Sequence, residues 1–285
     1  MKPYLADPAA VKELIRRFDF TVRKGYGQNF LIDPSVPEAI TRIAALTKDD
    51  YVLEIGPGIG TMTQYLSEAA AHVTAVEIDR HLEPILSETL RGADNVEIIW
   101  NDILKVDLSA LPAGPTGRLK VVANLPYYIT TPILMALLKE GECFESITVM
   151  VQEEVAERIV SGPGSKEYGA ISLGVLYYAE PALCLRVPAG AFLPQPKVAS
   201  AVLHLKKREE PAVECRDPDY MFTLIRAAFM QRRKTLVNGL SASAAGVGKG
   251  QTAAALAAMG LSPMARGETL TLEQFAALSD LLKQV

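Results

Sequence analysis

Between residues 47 and 151 short apolar runs alternate with stretches of helical periodicity, and this alternation constrains the fold more than any other feature of the sequence. The apolar runs, each predicted to be a strand, occupy residues 51–55, 72–76, 96–100, 119–123 and 147–151. The periodicity between them predicts helices over residues 61–71, 79–90 and 132–139. Alternating elements joined by short turns require right-handed crossovers, so the pattern predicts an α/β fold with a mostly parallel sheet.

The character of the sequence changes near residue 208. Two apolar runs, 183–187 and 201–205, flank a proline-rich stretch and predict a hairpin that adds an antiparallel edge to the sheet. From Asp219 onward the chain is rich in alanine and leucine, has helical periodicity and lacks a strand pattern. We therefore expect an α/β domain over residues 1–207, with an N-terminal arm over about 1–20, and a small all-helical domain over 208–285.

Overall charge limits the class of partner. The chain has 29 Lys+Arg and 33 Asp+Glu, a net charge of −4, which excludes a uniformly basic nucleic-acid-binding protein but leaves room for local basic patches. No apolar run reaches the roughly 18–20 residues of a membrane span. The three cysteines and three histidines show no metal-ligand spacing. We expect a cytoplasmic monomer with no metal and no membrane partner.

The turn after the first strand is rich in glycine. It reads Glu54-Ile-Gly56-Pro-Gly58-Ile-Gly60, and glycines let the backbone turn sharply beside a ligand. A dinucleotide fingerprint would need glycine at position 61, where Thr61 stands. The spacing is instead typical of Rossmann-like class I methyltransferases, which bind S-adenosylmethionine, so Gly56 and Gly58 are candidate cofactor contacts. A tight turn without a ligand is the alternative.

Two carboxylates follow later strands in phase with this turn. Glu77 lies 21 residues after Gly56, where a carboxylate can accept hydrogen bonds from ribose hydroxyls. Asp102 follows the third strand and can accept one from an adenine amino group. Ile78 and Ile103 come directly after the two acids and can flank the purine. Taken singly, each acid is more typical of an ordinary surface charge at the end of a strand, and it is their phase with the glycine turn that favours a cofactor site.

The fourth strand ends in a segment that fits an amine acceptor, Asn124-Leu125-Pro126-Tyr127. The Asn124 side-chain oxygen and the Leu125 carbonyl can accept the N–H bonds of an adenine amine, which makes its nitrogen more nucleophilic. Pro126 stiffens the turn, and Tyr127 offers a face for stacking. Direct methyl transfer then depends on positioning and electrostatics. An ordinary type I turn is the alternative.

Phe192 is a second aromatic candidate. It begins the stiff segment Phe192–Val198 (FLPQPKV), which is rich in proline and can hold the ring against the other face of a target base. Packing of this ring in the core is the alternative.

From about Phe20 to about Leu282 the sequence carries a series of short motifs in a fixed order. They are the segments 27–31 (GQNFL), 54–63 (EIGPGIGTMT), 76–79 (VEID), 101–104 (NDIL), 124–129 (NLPYYI), 152–158, 163–166 (PGSK), 168–169, 192–198 and 231–236 (QRRKTL). In these motifs the chain resembles the small-subunit (16S) ribosomal RNA adenine dimethyltransferases, the enzymes whose loss confers kasugamycin resistance.

The resemblance implies a specific reaction. Such enzymes transfer methyl groups from S-adenosylmethionine to N6 of two adjacent adenosines in the 3′-terminal hairpin loop of small-subunit rRNA, inside an immature 30S particle. The resemblance implies cofactor contacts from Asn29, Leu31, Gly56, Glu77, Asp102 and Asn124. It implies contacts with the target adenine from Asn124, Leu125, Tyr127 and Phe192.

Two other functions stay open. One is a large-subunit rRNA adenine N6-methyltransferase of the macrolide-resistance type, which the segments 163–166 and 168–169 disfavour. The other is a ribosome-assembly factor with a mainly binding role, which the complete glycine turn and Asn-x-Pro-Tyr segment disfavour.

Three basic clusters are candidate phosphate contacts. They are Arg16-Arg17 with Arg23-Lys24, Lys206-Lys207-Arg208, and Arg232-Arg233-Lys234. A solvated face, or for the last cluster packing and ion pairing between domains, is the alternative. The chain also departs from the family pattern at Glu153, Ala170 and Val237, where the family often has a basic residue, and these departures bear on its affinity for RNA.

Overall fold

The computed structural model describes residues 4–115, 117–140, 143–243 and 245–283, without the side chain of Lys24. The chain forms two compact units, the first from Met1–Ala156 and Ala182–Lys207 and the second from Glu157–Pro181 and Arg208–Val285. This division differs from the boundary expected at residue 208, because residues 157–181 belong to the second unit. Tyr168, Leu173 and Tyr177 belong to the core cluster of the C-terminal helices, which explains the difference.

The strands form one large sheet and one small sheet. In chain order they are β1 (Phe30–Leu31), β2 (Tyr51–Ile55), β3 (His72–Glu77), β4 (Val96–Trp100), β5 (Leu119–Asn124), β6 (Phe144–Gln152), β7 (Ala179–Val187), β8 (Phe192–Leu193) and β9 (Ser200–Lys207). The seven-stranded sheet has the order β4-β3-β2-β5-β6-β9-β7, and β1 pairs separately with β8. Pairing is parallel from β4 to β6 and antiparallel between β6 and β9. The prediction of a mostly parallel sheet with an antiparallel strand near one edge is confirmed.

The helices follow the predicted alternation. They are α1 (Pro8–Arg17), α2 (Ser35–Ile43), α3 (Thr61–Ala69), α4 (Glu83–Thr89), α5 (Thr130–Lys139), α6 (Glu153–Val160), α7 (Ala170–Tyr178), α8 (Pro218–Met230), α9 (Leu236–Ser241), α10 (Lys249–Ala258) and α11 (Leu272–Lys283). The helix predicted over 79–90 is divided, because the Asp79 side chain caps a short 3₁₀ turn over Arg80–Leu82 before α4 begins.

The central strands of the first unit are buried on both faces, as expected for parallel strands covered by helices. Four of the five residues of β2 are buried, as are the first five of β5. Lys120 is the buried charged residue of β5, and its ammonium donates to the Ala45 carbonyl over 2.9 Å and to the Asp50 carboxylate over 3.1 Å. Parallel pairing brings the carboxyl ends of β2, β3, β4 and β5 to one edge of the sheet.

The described part of the N-terminal arm is docked against the first unit. Asp7 caps α1, whose Val11 and Leu14 are buried. The arm also bonds α3, through the Tyr4 hydroxyl to Glu68 and the Leu5 N–H to the Gln64 side chain over 3.0 Å.

In the second unit, residues 208–283 as described contain helices and turns but no strand. The core joins α7, α8, α9, α10 and α11, and the Tyr168 hydroxyl donates to the Leu270 carbonyl over 3.0 Å. A Cβ on Gly267 would lie 2.7 Å from the Cβ of Ala228, so glycine is required for this close approach. Among the described residues, no helix combines the length and the apolarity needed to cross a bilayer.

Candidate active site

A cavity of about 330 Å³ opens at the carboxyl edge of the sheet. Its size is in the range of small-molecule sites. All nine residues predicted to bind a cofactor line it, namely Asn29, Leu31, Gly56, Gly58, Glu77, Ile78, Asp102, Ile103 and Asn124. Of the residues predicted to act on a target adenine, Asn124 and Pro126 line the cavity, whereas Leu125, Tyr127 and Phe192 do not.

The glycine-rich turn that follows β2 lines the cavity. Gly56, Gly58 and Gly60 have φ values of +71°, +60° and +91°, a region that other residues rarely adopt. A Cβ on Gly56 would meet no atom within 4 Å, whereas a Cβ on Gly58 would lie 3.3 Å from the Phe30 ring. The turn therefore leaves open space at Gly56 and packs tightly at Gly58.

Glu54 places a buried carboxylate at the cavity. The residue is 1% exposed, and its Oε2 has no hydrogen-bond partner among the described residues. Burial is the main cause that raises the pKa of Glu54 to about 8. The nearby Thr63 hydroxyl opposes this rise, and the Glu77 carboxylate adds to it. A buried polar atom without a partner is unfavourable, so Oε2 is suited to a donor on a ligand.

Glu77 ends β3 and organises the backbone around it. One carboxylate oxygen accepts from the Gly58 N–H over 3.1 Å, and the other accepts from the N–H groups of Ile78 and Asp79, each over 2.9 Å. Burial raises the pKa of Glu77, and the three backbone N–H groups oppose that rise. A carboxylate has about four acceptor positions, so capacity remains for hydroxyl donors.

Asp102 follows β4, the strand next to β3, and also lines the cavity. Its Oδ1 caps the 3₁₀ turn Ile103–Lys105 by accepting from the Leu104 N–H over 3.1 Å. Ile78, which is 47% exposed, and the half-buried Ile103 line the cavity beside the two acids. The arrangement fits a purine between two isoleucines, and the role of each side chain stays a prediction.

The segment Gly27–Leu31 crosses the cavity near the end of β5. The Asn29 side chain donates to the Gly27 carbonyl over 3.0 Å, and the Asn124 side-chain nitrogen donates to the Asn29 carbonyl over 3.3 Å. Since Nδ2 of Asn124 is engaged in this way, its Oδ1 is left as an acceptor.

The turn after Asn124 is fixed by backbone hydrogen bonds. The Leu125 N–H donates to the Met150 carbonyl over 3.0 Å, which continues the pairing of β5 with β6. The Pro126 carbonyl accepts from the Ile129 N–H over 3.2 Å and from the Thr130 hydroxyl over 3.1 Å. Tyr127 is half-buried, and its hydroxyl lies 2.7 Å from the buried Ser200 hydroxyl.

The expected stacking position of Phe192 is corrected by the structure. Phe192 is 2% exposed and belongs to a core cluster with Leu31, Val36 and Ile40. In β8 it pairs with Leu31 of β1, and the two side chains pack in the same core cluster. Core packing, the alternative considered from the sequence, describes this residue.

Several cavity residues were not assigned from the sequence: Tyr26, Gln28, Tyr128, Ile129 and Ile133. The motifs quoted above contain Gln28, Tyr128 and Ile129, but only the folded chain shows that they reach the cavity.

Gln28 belongs to a network centred on Asp79, which is 1% exposed. The Gln28 amide donates to the Asp79 carboxylate over 3.0 Å, and the Gln28 oxygen accepts from the Arg23 N–H over 2.8 Å. The ring of His81 places Nδ1 2.9 Å from Asp79 and Nε2 3.1 Å from the Arg23 guanidinium. The network ties the turn after β3 to the loop that carries Asn29.

A family model described as ribosomal RNA adenine dimethylase matches residues 19–284. The chain belongs to the ribosomal RNA adenine dimethylase family. A relative from Lachnoclostridium phytofermentans, named ribosomal RNA small subunit methyltransferase A, is 52% identical over 285 residues, covering 99% of this chain and 98% of its own. A protein of the same name from Streptococcus sanguinis is 46% identical, covering 98% of each chain.

Two solved structures share the family fold. The 23S rRNA methyltransferase ErmE is 29% identical with a TM-score of 0.68, covering 90% of this chain and 100% of its own. A dimethyladenosine transferase from Plasmodium falciparum has a TM-score of 0.71 at 24% identity, covering 87% of this chain and 95% of its own, and supports the fold alone.

The basic clusters proposed from the sequence have different environments. In the dimethylase chain Lys206 and Lys207 end β9, and Lys206 pairs with Ser146 near the start of β6. They lie at the edge of the sheet opposite to the cavity, and the Lys207 ammonium donates to the Leu138 carbonyl. Neither lysine lines the cavity, and their contact with RNA stays a prediction.

In the second unit the triplet after α8 is divided between two environments. The Arg232 guanidinium bonds Glu268 over 2.6 Å and the Ser165 carbonyl over 3.0 Å, whereas Arg233 and Lys234 are exposed. In the N-terminal cluster Arg16 pairs with Glu13 and Arg17 with Glu88. The side chain of Lys24 lies outside the described part of the chain.

The three residues that depart from the family pattern, Glu153, Ala170 and Val237, each contact other parts of their own unit. Glu153 bonds the Arg186 guanidinium. Ala170 and Val237 pack in part against the core of the second unit.

Proposed function

We propose that this dimethylase transfers methyl groups from S-adenosylmethionine to N6 of two adjacent adenosines in the 3′-terminal hairpin loop of small-subunit rRNA. It does so on an immature 30S particle during ribosome biogenesis, as a monomer, and it gives N6,N6-dimethyladenosine. Support comes from the family membership and from the cavity that brings the predicted cofactor residues together with Asn124.

The residues present fit the cofactor. The partnerless Oε2 of Glu54 suits the ammonium of the amino-acid arm, directly or through water, and the spare acceptor capacity of Glu77 suits the ribose hydroxyls. Asp102, between Ile78 and Ile103, suits the adenine amine. Asn29, Leu31, Gly56 and Gly58 complete the cavity, and the open space at Gly56 is where a side chain would obstruct a ligand.

The observation that carries the chemistry is the hydrogen bond from Asn124 to the Asn29 carbonyl. When bound, the cofactor supplies an electrophilic methyl group on a sulfonium sulfur. The chain supplies acceptors for the target amine, namely Oδ1 of Asn124 and the Leu125 carbonyl. Their hydrogen bonds hold the nitrogen lone pair toward the methyl group, and the proton leaves to solvent afterwards.

The choice of RNA rests on the relatives. Those named small subunit methyltransferase A are 52% and 46% identical to this chain, whereas the 23S enzyme ErmE is 29% identical. Because ErmE covers 90% of this chain with a TM-score of 0.68, large-subunit RNA is the necessary second substrate in any assay.

The test is methyl transfer to 30S subunits purified from cells that lack this activity, followed by nucleoside mass spectrometry. We expect N6,N6-dimethyladenosine in digested 16S rRNA and none in 23S rRNA treated in parallel. Activity confined to 23S rRNA, or no modified adenosine in either, would contradict the proposal. A catalytically inactive variant that restores subunit maturation in a deletion strain would reveal an additional binding role.

A further inference from the structure

Tyr128 is the most exposed of the described Phe, Tyr and Trp residues, at 59%, and it lines the same cavity as Asn124. All other described Phe, Tyr and Trp residues are buried or half-buried. An exposed aromatic ring at the mouth of a buried site is unusual, because apolar rings of this size are normally covered.

The position of Tyr128 is set by the backbone. It lies inside the turn that the Pro126 carbonyl closes by accepting from the Ile129 N–H and the Thr130 hydroxyl. Partial burial, and after it the charges of Tyr26, Asp102 and Glu77, raise the pKa of Tyr128. The phenol is therefore neutral at physiological pH and can lie near the acids of the cavity without repulsion.

The other two aromatic candidates are absent from the cavity lining. Tyr127 does not line the cavity, and its hydroxyl is bonded to Ser200. Phe192 is in the core. Tyr128 thus has the free face that a base at the cavity mouth requires.

The surroundings of Tyr128 favour RNA over other partners. Ile78 and Leu104, 47% and 43% exposed, add apolar surface on the neighbouring turns at the same edge of the sheet. Arg80 and Lys105, both exposed, lie on those turns. Aromatic and apolar surface for bases, combined with cations for phosphates, is the pattern of single-stranded nucleic acid sites.

We propose that Tyr128 is a stacking platform for an unpaired nucleobase of the RNA substrate at the mouth of the cavity, with Arg80 and Lys105 beside the flanking phosphates. This inference rests on the proposed function for the identity of the RNA. Stacking on Tyr128 would hold the hairpin loop open while the target adenine reaches Asn124, because a base must leave its stack to react.

The experiment compares Tyr128→Leu, which removes the aromatic face, with Tyr128→Phe, which keeps it. Met264→Ala, a change of another exposed apolar residue, is the matched control. Three quantities are measured: the Kd for S-adenosylhomocysteine by calorimetry, kcat and KM on 30S subunits, and the fluorescence of a 16S hairpin with 2-aminopurine in its loop. The fluorescence measurement needs no turnover, so it tests Tyr128 even if the proposed reaction is wrong.

We expect Tyr128→Leu to raise KM about tenfold and to remove the fluorescence change, while the Kd for S-adenosylhomocysteine stays within about twofold. Tyr128→Phe and Met264→Ala should resemble the wild type. Unchanged KM and fluorescence in Tyr128→Leu would overturn the inference. A raised Kd with unchanged fluorescence would also overturn it, because Tyr128 would then cover the cofactor. If the wild type gives no dimethyladenosine but the fluorescence change still depends on Tyr128, only the proposed function is refuted.

Discussion

The side-chain amide of Asn124 donates a hydrogen bond to the backbone carbonyl of Asn29 over 3.3 Å. The two residues are 95 positions apart, and the contact joins the end of a central strand to the loop that precedes the first strand. It fixes which end of the amide is free to accept. Orientation of an acceptor before the substrate arrives is a large part of what a site of this kind can contribute to rate.

Asn124→Ala should lower kcat by at least about 10²-fold, by analogy with the loss of one preorganised polar group in other active sites. Asn124→Asp keeps an acceptor but loses the donor to Asn29, so it should retain more activity than the alanine variant. Methyl transfer to 30S subunits, with thermal unfolding as a control for the fold, checks both. Equal activity in the wild type and in Asn124→Ala would remove Asn124 from the mechanism.

Gln28 should act on cofactor binding through Asp79. Gln28→Glu places two carboxylates where an amide now donates over 3.0 Å, and the loop carrying Asn29 should loosen. We expect the Kd for S-adenosylhomocysteine to rise about tenfold, a typical size for coupling between contacting residues.

The second variant, Asp79→Asn, supplies the control for this pair. In the double variant an amide again faces a carboxylate, so part of the lost affinity should return. If the effects of the two changes on the Kd for S-adenosylhomocysteine are additive, Gln28 and Asp79 act independently.

Glu54 should make stability depend on pH. Its pKa in the folded chain is about 8, above the ordinary value of 4.5, so between these two pH values the folded chain holds a proton that the unfolded chain has lost. The contribution of this group to stability is therefore fully present below about pH 4.5 and is lost as the pH rises through about 8, by a few kcal/mol at most. Glu54→Gln should flatten this part of the profile, measured as Tm against pH. A profile with the same slope in both proteins would mean that Glu54 is ionised in the fold.

Gly56 can be compared with Gly92, which also has a positive φ but does not line the cavity. Gly56 and Gly92 have φ values of +71° and +85°, and an added Cβ meets nothing within 4 Å at either position. Alanine should therefore destabilise the fold similarly at both sites, by about 1–2 kcal/mol. Only Gly56→Ala should weaken S-adenosylhomocysteine binding, by tenfold or more in calorimetry. Similar affinity in both variants would place the ligand elsewhere.

The salt dependence of RNA binding should separate the basic clusters. If Arg233 and Lys234 each neutralise one phosphate, alanine at either position should reduce the slope of log K against log salt by about 1. Lys206→Ala should leave the slope unchanged, because Lys206 lies at the opposite edge of the sheet from the cavity. The reverse result would assign the phosphate contacts to Lys206 instead of Arg233 and Lys234.

Much of the first unit follows from local sequence patterns. The run Tyr51–Ile55 is a strand because continuous apolar residues are buried on both faces. Glu77, Asp102 and Asn124 reach one cavity because parallel strands place their carboxyl ends together, so spacing along the chain was enough to predict them.

Other positions depend on contacts that no local pattern reveals. Phe192 looks like a free aromatic in a proline-rich segment, yet its pairing with Leu31 places the ring in the core. Lys206 and Lys207 lie away from the cavity because the antiparallel direction of β9 carries them about 20 Å along the sheet from Ser200, which no local pattern reveals. Residues 157–181 follow a sheet strand but pack with the C-terminal helices.

Because residues 157–181 pack with the C-terminal helices, the protein cannot be divided at a single point of the chain. The second unit is assembled from an insertion between two strands and a tail, so it is not a module attached at one point of the chain. A stop codon after Lys207 would leave Tyr168, Leu173 and Tyr177 without the helices that cover them. Chimaeras that exchange this unit between relatives would therefore need two crossover segments. During synthesis, residues 157–181 emerge from the ribosome long before the C-terminal helices that complete their core. Their apolar side chains therefore stay uncovered until those helices have been made.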